Sequence, residues 1–223
     1  MRTLSLRSAD LSVYFVTDTH LSATRGLIET ARMAAHGGAT LIQLRDPLAK
    51  AGWLVEMGKA LVAAMKPFAI PVIINDRPDV AHAVGAAGVH VGQGDLPPEA
   101  ARAILGHGAI IGLSITHASQ LADVPWDVVD HLGVGPVLSK GVKADAAAPM
   151  GIEGLAACVR LSRKPVVAIG GMTIEAVPAV IDAGAAGVAV VAAIAGAEDP
   201  EGATAAFRTA VRHRLRFQGR TTQ

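Results

Sequence analysis

A (β/α)8 barrel is the fold class that this chain of 223 residues predicts, on three observations. Short β-branched runs recur at intervals of roughly 20 to 35 residues, Ala-rich stretches with helical spacing lie between them, and each kind of segment occurs eight times. An open doubly wound sheet more often has five or six strands, so eight alternating pairs favour a closed barrel.

In chain order the strands are expected at 13–17, 40–45, 72–75, 88–91, 110–113, 129–134, 166–169 and 188–191. The helices are expected at 26–36, 48–65, 77–84, 98–105, 118–122, 152–161, 173–183 and 199–217. Gly37-Gly38-Ala39, Gly85-Ala86-Ala87 and Gly184-Ala185-Ala186 each precede a strand, as a glycine helix cap followed by a tight entry into the sheet. Their recurrence marks repeated barrel units and one domain over 1–223, with 1–10 an N-terminal extension and 218–223 a frayed tail. Apolar residues make up 51% and aromatics only 3%, so Val, Ile, Leu and Ala must fill the interior, as in tightly packed helix-on-sheet architectures.

A formal net charge of +1 gives no field that would draw nucleic acid. The single Cys158 cannot form an intrachain disulfide. The longest apolar run, 183–197, is too short for a membrane span, and the first ten residues carry no signal-peptide hydrophobic region. A soluble, cytoplasmic protein is expected, with homo-oligomers left open.

In a barrel of this kind, function sits on the loops after the strands. Those positions hold Thr17 and Asp18, Gln43 and Arg45, Asn75 and Asp76, Gln93 and Asp95, Ser114 and Thr116, residues 135–145, Gly170 and Gly171, and Ala192 and Ala193. Asp76 and Asp95 each follow a short apolar run. On neighbouring parallel strands their carboxylates would emerge at one end of the sheet, suited to a divalent metal and a phosphorylated substrate. In Val167-Ala-Ile-Gly-Gly171, two glycines close the seventh strand ahead of a helix, where exposed backbone N–H groups suit a phosphate oxygen. The end of the eighth strand, Val191-Ala192, would complete that cup.

Over roughly residues 13–200 the chain resembles the thiamine-phosphate synthase family, which includes thiazole tautomerase relatives. The matching segments are Gly38-Ala-Thr-Leu-Ile-Gln-Leu-Arg-Asp46, Ile73-Ile-Asn-Asp76, Gly88-Val-His-Val-Gly-Gln-Gly-Asp95, Gly112-Leu-Ser114, Gly133-Val-Gly-Pro-Val137 with Lys143 and Asp145, Ala168-Ile-Gly-Gly171, and Ala183-Gly-Ala-Ala-Gly-Val-Ala-Val190. The resemblance implies a Mg2+-dependent transferase that joins 4-amino-2-methyl-5-pyrimidinylmethyl diphosphate to thiazole phosphate and releases pyrophosphate. It implies Asp76 and Asp95 as Mg2+ ligands. Arg45, Asn75 and Lys143 would serve the diphosphate, Gln43 and Ser114 the pyrimidine end, and Lys140, Gly171, Val191 and Ala192 the thiazole phosphate. Arg45, Ser114 and Lys143 would be the catalytic set, acting by positioning and charge stabilisation.

Three positions depart from the family pattern. Pro47 stands where a diphosphate-binding lysine is usual. Lys140-Gly141-Val142 replaces two threonines that serve the thiazole phosphate, and Ala192 replaces a serine. A divergent paralogue therefore remains an alternative, either a tautomerase-like isomerase using His117 or a non-catalytic phosphate-binding barrel. Residues 139–149, too long for a simple turn and carrying two lysines, read as a loop that closes over the phosphates. Trp53 and Trp126 read as packing residues, and Cys158 as an inert buried thiol. His82 and His90 lack metal-ligand spacing, with His90 packing in the barrel or against its helices. Arg208, Arg212 and Arg216 read as one solvated helix face.

Overall fold

The computed structural model describes residues 9–138 and 148–219. Its strands are β1 (Val13–Val16), β2 (Leu41–Leu44), β3 (Val72–Asn75), β4 (Gly88–Val91), β5 (Ile110–Ile115), β6 (His131–Val134), β7 (Val166–Ile169) and β8 (Gly187–Val190). They form a closed barrel in sequence order, every neighbour parallel, with β8 returning to β1 through the Tyr14–Ala189 register. Outside lie α1 (Leu27–His36), α2 (Ala51–Met65), α3 (Pro78–Val84), α4 (Pro98–Leu105), α5 (Gly151–Leu161), α6 (Val177–Asp182), α7 (Ala192–Ala195) and α8 (Pro200–Phe217). The eight-strand barrel is as the sequence predicts.

The strands read as near-continuous apolar runs because both faces are covered. Alternate residues divide between two cores. Val13, Phe15, Ile42, Leu44, Ile74, Val89 and Ile111 meet the helix layer, where Ala31, Ala34 and Ala35 of α1 also pack. Tyr14, Val16, Leu41, Ile73, Ile110, Val167 and Ala189 fill the barrel itself.

A buried ion pair lies at the starts of β5 and β6. Arg102 of α4 donates to Asp130, just ahead of β6, at 2.7 Å, and to the carbonyls of Ala109 and Val128 at 2.5 and 2.7 Å. Asp130 also accepts the Ile111 N–H at 2.9 Å. One guanidinium thus satisfies carbonyls that flank two strand starts, as its planar fork of donors allows.

Several boundaries differ from expectation. The second helix starts at Ala51, not at residue 48, because Asp46 turns the chain around Pro47 by accepting the Leu48 N–H at 3.1 Å. The sixth strand starts at His131, because the N–H groups of Val128 and Val129 are spent on the Pro125 carbonyl. Segment 118–123 is a 3-10 helix, with Gln120 Oε1 turned back onto the N–H groups of Thr116 and His117 at 2.8 and 3.1 Å. The helix expected from 173 starts at Val177, after a turn in which Ala176 and Val177 donate to Thr173 and Ile174. α7 is an additional short helix at the end of β8. Arg208 does not lie on a wholly solvated face: it pairs with Asp10 at 3.0 Å and is largely covered. Cys158 is buried as expected, and burial raises its thiol pKa.

Candidate functional site

All eight strands run in one direction around the ring, so the residues ending them gather at one mouth. Gln43 on β2 is buried and points inward, where its amide donates to the Tyr14 hydroxyl. Arg45 leaves β2 half-buried, its backbone N–H held by Thr17 Oγ1 at 3.0 Å. The neighbouring Asp46 accepts from Thr19 Oγ1 at 2.7 Å, which ties the first two loops together.

At the end of β3, Asp76 has φ 59°, the left-handed region that few non-glycine residues occupy. Its N–H donates to the His90 carbonyl at 2.8 Å, and its carboxylate accepts from Asn75 Nδ2 at 2.5 Å. That backbone turn lifts the carboxylate at the strand end. Asp95 lies in the loop after β4, exposed, with one oxygen accepting the Gly92 N–H at 2.7 Å. Because β3 and β4 are paired neighbours, Asp76 and the loop that carries Asp95 follow adjacent strands. Among the described residues no three His, Cys, Asp or Glu side chains form a metal-holding group.

Deeper in the barrel, two histidines flank β5. His90 on β4 and His131 on β6 are both in register with Gly112. A Cβ at Gly112 would lie 2.6 Å from the His131 ring, and one at Gly133 would lie 2.8 Å from His90 Cε1. Glycine at these two strand positions is what makes room for the imidazoles. His90 Nε2 lies 3.0 Å from Ser114 Oγ, and His90 Nδ1 lies 3.4 Å from His131 Nε2. Tyr14 packs edge-on against both rings, with centroids at 6.5 and 6.0 Å. Burial pulls the His131 pKa down to about 4, against the opposing pull of Asp130, so its ring is neutral near pH 7.

On the opposite side, Gly170 and Gly171 turn the chain after β7 with φ 96° and 70°. Gly170 backs directly onto Pro136 of the cis Gly135–Pro136 turn after β6, where a Cβ would lie 2.6 Å from the Pro136 Cα. Val191 directly follows β8 and is the N-cap of α7, which begins at the exposed Ala192.

A family model described as thiamine monophosphate synthase matches residues 13–194. The chain belongs to that family. It is 50% identical over 202 residues to the thiamine-phosphate synthase of Azorhizobium caulinodans, covering 91% of this chain and 95% of that protein. The thiamine-phosphate synthase of Xanthobacter autotrophicus is also 50% identical over 202 residues, covering 91% and 96%. Among solved structures, the thiamine phosphate pyrophosphorylase from Pyrococcus furiosus superposes with a TM-score of 0.85 at 36% identity, covering 94% of this chain and 99% of that one.

As a member of the thiamine monophosphate synthase family the chain is an enzyme, a transferase of thiamine biosynthesis. No helix among its described residues is long and apolar enough to cross a membrane. Gln43 and Ser114 lie one residue before the ends of β2 and β5, Asn75 ends β3, and Arg45, Asp76, Asp95, Gly171, Val191 and Ala192 lie in the segments that follow their strands. Lys140, Val142 and Lys143, with most of the loop expected at 139–149, lie outside the described residues. His117 is exposed at the start of the 3-10 helix, its Nδ1 3.0 Å from Thr116 Oγ1. Sequence reasoning gave the interior histidines no role. The signal that could have found them is two glycines, Gly112 and Gly133, inside strands otherwise built from large residues.

Proposed function

We propose that this barrel transfers a pyrimidinylmethyl group from its diphosphate to the ring nitrogen of thiazole phosphate. The supporting observation is Asn75 and the left-handed Asp76 at the end of β3, with Asp95 in the loop after the neighbouring β4, in a chain of this family. Two carboxylates suit Mg2+, which completes its shell with phosphate oxygens and water. Bound there, Mg2+ would neutralise charge on the departing diphosphate.

The protein's own groups do the rest by position and charge. The Arg45 guanidinium, fixed at its backbone by Thr17, supplies donors toward the diphosphate from the neighbouring strand end. Gln43 and Ser114 face the barrel interior below it and form the floor for the pyrimidine. The C–O bond to the diphosphate breaks with its electron pair leaving on oxygen. The pyrimidinylmethyl cation, stabilised by the ring amine, is then captured by the thiazole nitrogen. Gly171, Val191 and Ala192 offer backbone N–H groups to the thiazole phosphate, with Lys140 adding charge. Pro47 is exposed in the turn before α2, so the diphosphate relies on Arg45 and Lys143 rather than on a lysine at that position.

The test is to mix purified protein with the pyrimidine diphosphate, thiazole phosphate and MgCl2, and to measure pyrophosphate and thiamine phosphate together. Equimolar formation of both supports the reading. Absence of both at millimolar substrate removes it.

A further inference from the structure

The reaction just described needs no histidine, yet two imidazoles sit beneath its floor, and one is 1% exposed. We infer that His131, acting through His90, fixes the Ser114 hydroxyl as a hydrogen-bond donor toward a ring-nitrogen acceptor of the bound heteroaromatic. The inference rests on the reading that Ser114 faces the pyrimidine.

The direction of the chain follows from its dry end. Among the described residues, His131 Nδ1 is buried and has no hydrogen-bond partner. Orphaned buried N–H groups are rarer than under-satisfied acceptors, so Nδ1 is the bare nitrogen and the proton of the neutral ring sits on Nε2. The lowered pKa of His131 agrees with a ring carrying one proton.

From Nε2 that proton is directed at His90 Nδ1, 3.4 Å away. With Nδ1 accepting, the His90 ring proton sits on Nε2, which donates to Ser114 Oγ at 3.0 Å. A serine hydroxyl has a single hydrogen. Since its oxygen already accepts from His90, that hydrogen is available to the ligand. In the opposite tautomer Ser114 would spend it on His90 and could only accept from above.

His131 is therefore a positioning residue, too deep to touch substrate. Its effect is selective: a ring nitrogen placed over Ser114 gains a donor, and an analogue carrying C–H there leaves the hydroxyl unpaired. Gly112 and Gly133 belong to the same device, since a side chain at either would push the rings apart.

Long-range 1H–15N spectra of the ligand-free protein, labelled with 15N-histidine and assigned through His90→Gln and His131→Phe, read the tautomers directly at pH 7. Both rings are expected as Nε2–H. A His90 proton found on Nδ1 overturns the inference, whether or not the protein turns over substrate.

Kinetics supply the second arm. His131→Phe should raise KM for the pyrimidine diphosphate about tenfold, the loss of one hydrogen bond, with kcat within about twofold of wild type. His131→Gln, whose amide can donate to His90, should recover most of it. An unchanged KM in folded His131→Phe also overturns the inference. Failure of wild-type turnover, by contrast, would remove the proposed reaction while leaving the tautomer result standing.

Discussion

At the starts of β5 and β6 the buried Arg102 and Asp130 are engaged with one another and with the backbone. Arg102 meets Asp130 and the carbonyls of Gly106, Ala109 and Val128, and Asp130 takes the Ile111 N–H as well. At the C-terminal end, Asp76 sits on a left-handed backbone and Asp95 is exposed in a loop. The two ends use the same residue types for opposite purposes. Charges closed off by protein partners stabilise the strand starts, and the carboxylates at the other end, held by Asn75 and by the Gly92 N–H, stand at a left-handed turn and in an exposed loop. Stability and chemistry are thus separated along the barrel axis, as βα architecture permits.

Asp76→Asn should break the ligand end alone. Asparagine tolerates the left-handed backbone nearly as well as aspartate, so the turn is kept while the charge is lost. The expected result is a fall in kcat/KM of about a thousandfold, roughly 4 kcal/mol of transition-state stabilisation, with an unchanged unfolding midpoint. Steady-state kinetics beside urea denaturation check both halves. Retained activity would remove Asp76 from the metal role.

Asp130→Ala should do the reverse. Arg102 would be left buried without its carboxylate, and breaking one partner of such a pair costs about 3–5 kcal/mol. Asp130→Asn should lose less, because its carbonyl can still accept from the Ile111 N–H. The folded fraction of each variant should keep wild-type KM values. Changed KM values would show that the two ends are coupled.

The closed barrel was legible because its signal repeats. Eight apolar runs at similar spacing, three with Gly-x-Ala entries, outweigh errors at any single boundary. Boundaries failed where a side chain or a loop carbonyl competed for backbone donors. Asp46 delayed α2, Gln120 tightened 118–123 into a 3-10 helix, and the Pro125 carbonyl held back β6. The strand-end residues were legible for the same reason as the barrel, since a strand's last residue faces the mouth once the fold is known. What sequence did not reveal was depth. His90 and His131 occupy ordinary strand positions 41 residues apart, and only register shows that Gly112 sets them side by side.

His131 lies between the two ends and supplies the smallest test of their separation. Its pKa is pulled to about 4 in the folded chain against about 6.5 when unfolded, because burial penalises the charged ring. Between these limits the unfolded chain binds a proton that the native chain does not, so stability should fall as pH drops from about 6.5 toward 4. Above 6.5 the histidine contributes nothing to the pH dependence. The full loss is about 3 kcal/mol by linkage, and at pH 4.5 about 2–3 kcal/mol of it should have appeared. His131→Phe has no proton to bind, so its urea midpoint should change less than that of the wild type between pH 7 and 4.5. Equal slopes in the two proteins would mean that other groups carry the acid sensitivity. A flatter variant would show that the neutral ring held beneath Ser114 is maintained at a measurable cost in acid stability.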